Sequence, residues 1–208
     1  MLLFFASRPV LAATASETFV QTYVTQGLAI LSDASLPHAE KHKRFEALLA
    51  PITDMRRVAL YTLGPAAKTA TTEQLEAFVE AFGELETAFY ERELWREGRL
   101  SVENSIERSK TDVIVQAFRL DESGRRSVNA DQIDFRVLNP DDKPILVDLC
   151  VGGVWLTQSQ KMQYSEFLAQ RGATLATLTA KIRNRASKMN SYLAAGETPP
   201  PRTRAHER

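Results

Sequence analysis

Residues 71–95 read TTEQLEAFVEAFGELETAFYERELW, and this stretch decides how the rest of the chain must be arranged. Leu75, Phe78, Phe82, Leu85 and Phe89 recur at intervals of three and four, so they share one side of an α-helix. Thr71 is placed to cap the start, with Gln74 three residues on as the return half of a capping box. Glu73, Glu76, Glu80 and Glu84 fall on other sides and keep those wet. Three phenylalanines in one stripe are a large apolar load, so a partner surface must cover them.

Working outward, three shorter helices precede this one. Thr18 to Ser32 carries Val20, Val24, Leu28 and Leu31 on one side, widened by Phe19 and Tyr23. Asp33 to Pro37 closes it, and a helix from His38 to Leu49 follows, stopped at Pro51. A third spans Asp54 to Leu63 and ends at Gly64-Pro65. After Gly98 the period changes from helical to alternating. Leu100, Val102 and Asn104 lead a weak strand. Asp112 to Leu120 alternates Val113, Val115 and Ala117 against Ile114 and Phe118. Ser123-Gly124 supplies a turn. Gln132 to Leu138 sets Ile133, Phe135 and Val137 on one side, with Asp134 and Arg136 on the other. Asn139-Pro140-Asp141-Asp142 is a second turn. Pro144 to Val154 places Ile145, Val147, Leu149 and Val151 together. Strands joined by short turns imply an antiparallel meander. Thr157 to Ala169 and Leu175 to Tyr192 return to helix. The order helix, strand, helix defines an α+β domain, with helices packed on one face of a curved sheet.

The chain has 208 residues, enough for one domain with a real core. Its 26 Lys and Arg balance 26 Asp and Glu, so no net field favours a nucleic acid, and no basic stripe marks the folded region. Cys150, the one cysteine, reads as a small core residue and excludes an intrachain disulfide. Met1 to Ala6 is apolar, and Val10-Leu11-Ala12 sets small residues where an exporting peptidase reads, with Ala13 or a neighbour as the mature start. Residues 1–15 are therefore expected to be part of a signal peptide, without the usual basic lead and with Arg8 inside the apolar run. Residues 16–193 form the expected single domain. Residues 194–208, with three successive prolines and alternating basic residues, form an expected disordered tail.

Catalytic patterns are sparse. His38 and His42 are four apart on a helix, but Ala39 stands where a metalloprotease helix needs glutamate, and no third ligand is evident. They read as a solvated helix side, and no metal is expected. Asp134 and Asp148 are the carboxylates that an isomerase or hydratase of this architecture would use as general base. Alternation places both away from the apolar side, outward and solvated. No nucleophile triad, phosphate loop or glycine fingerprint occurs, so neither enzyme activity nor a cofactor is expected. What remains is apolar surface, which spacing alone reads as plain core and which composition does not distinguish from the lining of a cavity.

Several blocks together resemble one known family. Leu63-Gly64, Thr69-Ala70-Thr71-Thr72-Glu73-Gln74 and then Phe78, Phe82 and Tyr90 are similar to its leucine-glycine, threonine-alanine-threonine and glutamine block. Val147-Asp148-Leu149 followed by Gly153-Val154-Trp155-Leu156 resembles its strand-to-helix signature. Gln163 and Phe167 continue the match, and Phe19 to Asp33 is similar to its first helix. The family is that of the toluene-tolerance or MlaC proteins. The resemblance implies an NTF2-like α+β fold with an apolar cavity, and a periplasmic carrier of phospholipid, or of a hopanoid-like lipid as in one branch. It also implies an inner-membrane ABC transporter complex and an outer-membrane lipoprotein as partners. Within that picture the expected lipid-binding residues are Phe78, Phe82, Leu85 and Phe89 of the long helix, facing Phe135, Val147 and Leu149 of the sheet. Trp155 stands where the family carries a small serine, and Lys161 where it often carries arginine.

Overall fold

A computed structural model describes residues 14–95, 99–121, 123–126, 132–139 and 143–197. Among these the chain forms helices α1 (Ala15–Ser32), α2 (His38–Leu49), α3 (Met55–Leu63), α4 (Thr72–Trp95), α5 (Leu156–Leu168) and α6 (Leu175–Ala194). The strands are β1 (Arg99–Ser109), β2 (Asp112–Leu120), β3 (Gln132–Leu138), β4 (Ile145–Val151) and β5 (Val154–Trp155). The architecture is the expected α+β arrangement of six helices on a curved antiparallel sheet. Most of the proposed signal peptide and of the C-terminal tail, and the turn at Pro140-Asp141-Asp142, lie outside the described residues.

Local chemistry sets most boundaries. Thr14 and Glu17 form a reciprocal capping box that starts α1. Thr71 does the same for α4: its amide bonds the Gln74 side chain at 3.0 Å, and its hydroxyl accepts from the Gln74 amide at 3.3 Å. Asp54 caps α3. Gly64 ends it at φ +60°, a conformation that costs a side-chain-bearing residue energy and glycine almost none. The paired glycines Gly152 and Gly153, at φ 58° and 79°, make the tight reversal from β4 into β5.

The sheet runs in the order β1-β2-β3-β4-β5. Val115, Phe135 and Leu149 stand side by side on neighbouring strands, as do Ala117, Ile133 and Val151. Between β3 and β4 the register slips, between Arg136, opposite Asp148, and Val137, opposite Leu146. Two residues of β4 therefore answer one of β3, as in a β-bulge, and the alternation changes phase there. Leu146 and Leu149 face the helices, while Val147 turns with Asp148 and Arg136 to the other side. This corrects the expected common side of Ile145, Val147 and Leu149. Period-two counting assumes one residue per step, and the bulge adds one.

Helix α4 lies at the centre. Its exposed positions Glu73, Glu76, Glu80 and Glu84 are those expected, but from Leu85 to Glu93 every residue is buried. The Phe78 and Phe82 rings stack at 6.0 Å, and Tyr164 of α5 meets Phe78 edge-on at 5.9 Å. Leu85 borders Tyr164, Phe167, Leu178 and Ile182, so this part of the stripe packs on α5 and α6.

Asp148 is only 4% exposed, which corrects the expected solvated carboxylate. Its Oδ1 accepts from the Leu149 and Thr157 amides at 2.9 and 3.1 Å, and its Oδ2 from the Thr157 hydroxyl at 2.6 Å. Trp155, the residue before α5, supplies no side-chain cap. Asp148 caps that helix from the adjoining strand instead, satisfying a first-turn amide that would otherwise be an orphan. Burial pushes its carboxyl above the usual range, against the pull of the Thr157 and Leu149 hydrogen bonds. Asp148→Ala removes this cap and leaves buried donors unmet, so urea denaturation should show a loss of about 2 kcal/mol. Asp134→Ala, at a half-buried position, should cost under about 1 kcal/mol.

Candidate functional site

Between α1, α2 and the sheet lies a narrow apolar cavity. Helix α1 contributes Phe19, Val20, Tyr23 and Val24, and α2 contributes Phe45, Leu48 and Leu49. Ile52, Tyr90 and Leu94 extend the wall, and Ile133, Phe135, Leu146 and Leu149 form the sheet side. Glu93 is the one carboxylate among the lining residues. Its carboxylate is taken by Arg92, whose Nε donates at 2.9 Å, and Arg119 of β2 donates to its backbone carbonyl. The space is apolar in consequence. Its volume is about 40 Å³, far too small for a long alkyl chain. In this conformation the helices close on the sheet, and an alkyl chain enters only if they part.

The expected binding residues divide between this cavity and other places. Phe135 and Leu149 line it. Phe78, Phe82, Leu85 and Phe89 are buried but lie outside its lining. Val147, turned by the bulge, borders a separate cleft of about 200 Å³ with Arg57, Tyr61, Arg136 and Asp148. The α1 residues Phe19 and Tyr23 and the α2 residue Leu48 belong to the cavity and were not among those expected. The widened apolar side of α1 was the available signal: a stripe broader than one core contact needs has something further to cover.

Helices α1 and α2 meet closely at Gly27. A Cβ there would lie 3.0 Å from the Phe45 ring and 3.1 Å from Leu94 Cδ1. Glycine thus lets α1 sit against α2 and α4 and narrows the cavity between them.

On the far side of α2, His38 and His42 are not solvated as expected. His38 Nε2 lies 2.8 Å from one oxygen of Glu91, and His42 Nδ1 lies 2.8 Å from the other. The Glu91 side chain is fully buried, while those of the two histidines are 18% and 24% exposed. The hydrogen bond to Glu91 raises the His42 pKa above its ordinary 6.5, outweighing the opposing effect of burial. A raised histidine pKa stabilises the fold fully below about 6.5, and that contribution is lost as pH rises through the folded value. The two rings take different carboxylate oxygens, and among the described residues no group of three His, Cys, Asp or Glu side chains is arranged to hold a metal.

An α+β fold whose helices close an apolar slot against a curved sheet presents that slot as the candidate binding site. The chain belongs to the MlaC protein family, whose model matches residues 21–184. Its structure is similar to that of a phospholipid-binding protein from Ralstonia solanacearum solved in complex with a phospholipid. The TM-score is 0.69 at 20% identity, over 85% of this chain and 99% of that one. No curated protein matches the chain by sequence. Among the described residues, no helix is long and apolar enough to cross a membrane.

The contact at Gly27 gives a direct test of how tightly the cavity helices are closed. Gly27→Leu should cost about 2 kcal/mol through overpacking, lowering the melting temperature by roughly 4–8 °C. Circular dichroism through the thermal transition checks it.

Proposed function

We propose that the protein is a periplasmic carrier that shields the acyl chains of a phospholipid between α1, α2 and the sheet. The observation that carries this reading is the apolar cavity itself, placed between helices and sheet in a chain of the MlaC family. The structurally similar Ralstonia solanacearum protein, which holds a phospholipid, supports it. Each methylene withdrawn from water contributes about 0.8 kcal/mol, so a chain of about fourteen gains on the order of 10 kcal/mol. That gain offsets the cost of parting the helices. A lipid so held does not escape readily into water, so loading and unloading need partners that offer an apolar path. An inner-membrane ABC transporter complex and an outer-membrane lipoprotein fit that requirement. A flexible acyl chain threads a narrow slot more readily than a rigid hopanoid-like ring system, which needs all its width at once. The geometry therefore favours phospholipid.

No catalytic step is required. The isomerase alternative needs a carboxylate free to take a proton from a substrate, but Asp148 accepts three hydrogen bonds, one from its neighbour Leu149 and two from Thr157 in the first turn of α5. The binding set on this reading is Phe135 and Leu149 with Val20, Tyr23 and Leu48, while the α4 phenylalanines hold up the wall from behind.

Native mass spectrometry of protein purified from the cells that express it should find a co-purifying phospholipid mass. Protein that is lipid-free and takes up none from vesicles would remove the carrier reading. Two variants separate wall from scaffold. Leu48→Arg puts a charge at the cavity and should abolish lipid retention while the chain still folds. Phe82→Ala, at a fully buried position away from the cavity, should cost about 3–5 kcal/mol yet leave lipid bound per folded molecule unchanged.

A further inference from the structure

We propose that α2 is the gate of the cavity and that His38, Glu91 and His42 form its latch. The inference rests on the carrier reading above and adds which element moves and what holds it shut. A cavity of about 40 Å³ admits an alkyl chain only after one wall withdraws. The sheet is held by its ladders, and α4 is buried along its second half. Helix α1 has a capping box and is tied to β1, where the Gln21 side chain accepts from the Val102 amide at 3.2 Å. Helix α2 differs. It is twelve residues long, Pro37 gives it no side-chain cap, and three of its residues, Phe45, Leu48 and Leu49, close the cavity.

The segments on either side of α2 are held by hydrogen bonds of their own. Before it, Asp33 accepts from the amide and hydroxyl of Ser35 at 2.9 and 2.6 Å. After it, the Leu146 amide bonds the Ile52 carbonyl at 2.7 Å, fixing the chain to β4. Between these points His38 and His42 attach α2 to α4 through a pair of 2.8 Å contacts to Glu91. A buried carboxylate is tolerated only with its partners in place, so Glu91 holds α2 closed as long as both rings reach it. If α2 swings out, water replaces the histidines and the carboxylate is hydrated.

The latch is sensitive to pH. The groups acting most strongly on His42 are carboxylates on two helices, Glu91 and Glu84 of α4 and Glu46 of α2 itself. Asp33, at the end of α1, faces Lys41 and Arg44 instead. On α6, Arg183 is committed to Glu80 and Lys181 lies over the Phe167 ring. The closed form thus favours the protonated ring, and acid holds the gate shut while alkali loosens it. By linkage, opening of α2 on lipid entry releases a proton.

Two measurements on the full chain test this. The first is hydrogen–deuterium exchange of the lipid-free protein from about pH 6 to about pH 9, corrected for intrinsic rates. Exchange in residues 38–49 should rise selectively with pH while α6 stays protected, and Glu91→Gln should make α2 exchange fast throughout. The second is uptake of a fluorescent phosphatidylethanolamine from phosphatidylglycerol vesicles. Uptake should quicken severalfold as pH rises over that range, and be flat and fast in His42→Gln. Because His42 is partly exposed, this variant keeps the fold, and the wild-type titration needs no variant at all. Uptake that ignores pH, with α2 exchanging no faster than α6, overturns the latch. No uptake at any pH, with α2 still selectively loosened, removes the carrier reading and leaves the latch standing.

Discussion

The second half of α4 is buried on every side, yet its sequence places glutamates at 86, 91 and 93 in that region. A carboxylate taken out of water must be met by donors, and here each one fixes the position of another element. Glu91 is met by two histidines of α2. Glu86 is met by Gln160 of α5. Glu93 holds its neighbour Arg92, while its carbonyl receives Arg119 of β2. The surrounding helices and the sheet are thus located by polar contacts as well as by apolar contact. A pair of this kind adds little net stability over an apolar pair, but it penalises any arrangement that leaves a charge without its partner.

That constraint divides labour along the central helix. The stripe through Phe78, Phe82 and Leu85 packs on α5 and α6 and makes a firm backing. Tyr90, Glu93 and Leu94, further along, look into the cavity. The movable part is then α2, which closes the cavity through apolar side chains. Apolar contact is non-directional and yields to another apolar surface at little cost, so a lipid chain can replace it. The polar contacts at Glu91 are directional, and breaking them requires water or a change of charge.

Asp148 illustrates how a feature suited to catalysis serves structure. It is buried, its carboxyl is shifted upward, and it borders a cleft with Arg57, Tyr61 and Arg136. Those are the usual marks of a functional carboxylate. Its hydrogen bonds, however, run to the amide of Leu149 and to the amide and hydroxyl of Thr157, and they join β4 to the start of α5. The bulge that turns Val147 outward carries Asp148 at the same place, so strand geometry and helix capping are one local arrangement.

The sequence by itself determined the elements and their order. Helical spacing, the Thr71–Gln74 cap and the alternation in β2 and β3 are local properties, and α4, β2 and β3 follow them to within a residue. It also determined that α4 carries a load needing a partner. Tertiary structure alone decided which partner. A stripe names the side to be buried and not its cover, so Phe78 and Leu85 of α4 met α5 and α6, while the cavity fell to Phe19, Tyr23 and Leu48. It likewise decided that β4 slips at Val147, because a bulge is a relation between two strands. And it placed His38 and His42 on Glu91, forty-nine and more residues away, since a buried charge and its donors are joined by the packing of helices and by nothing in the local pattern.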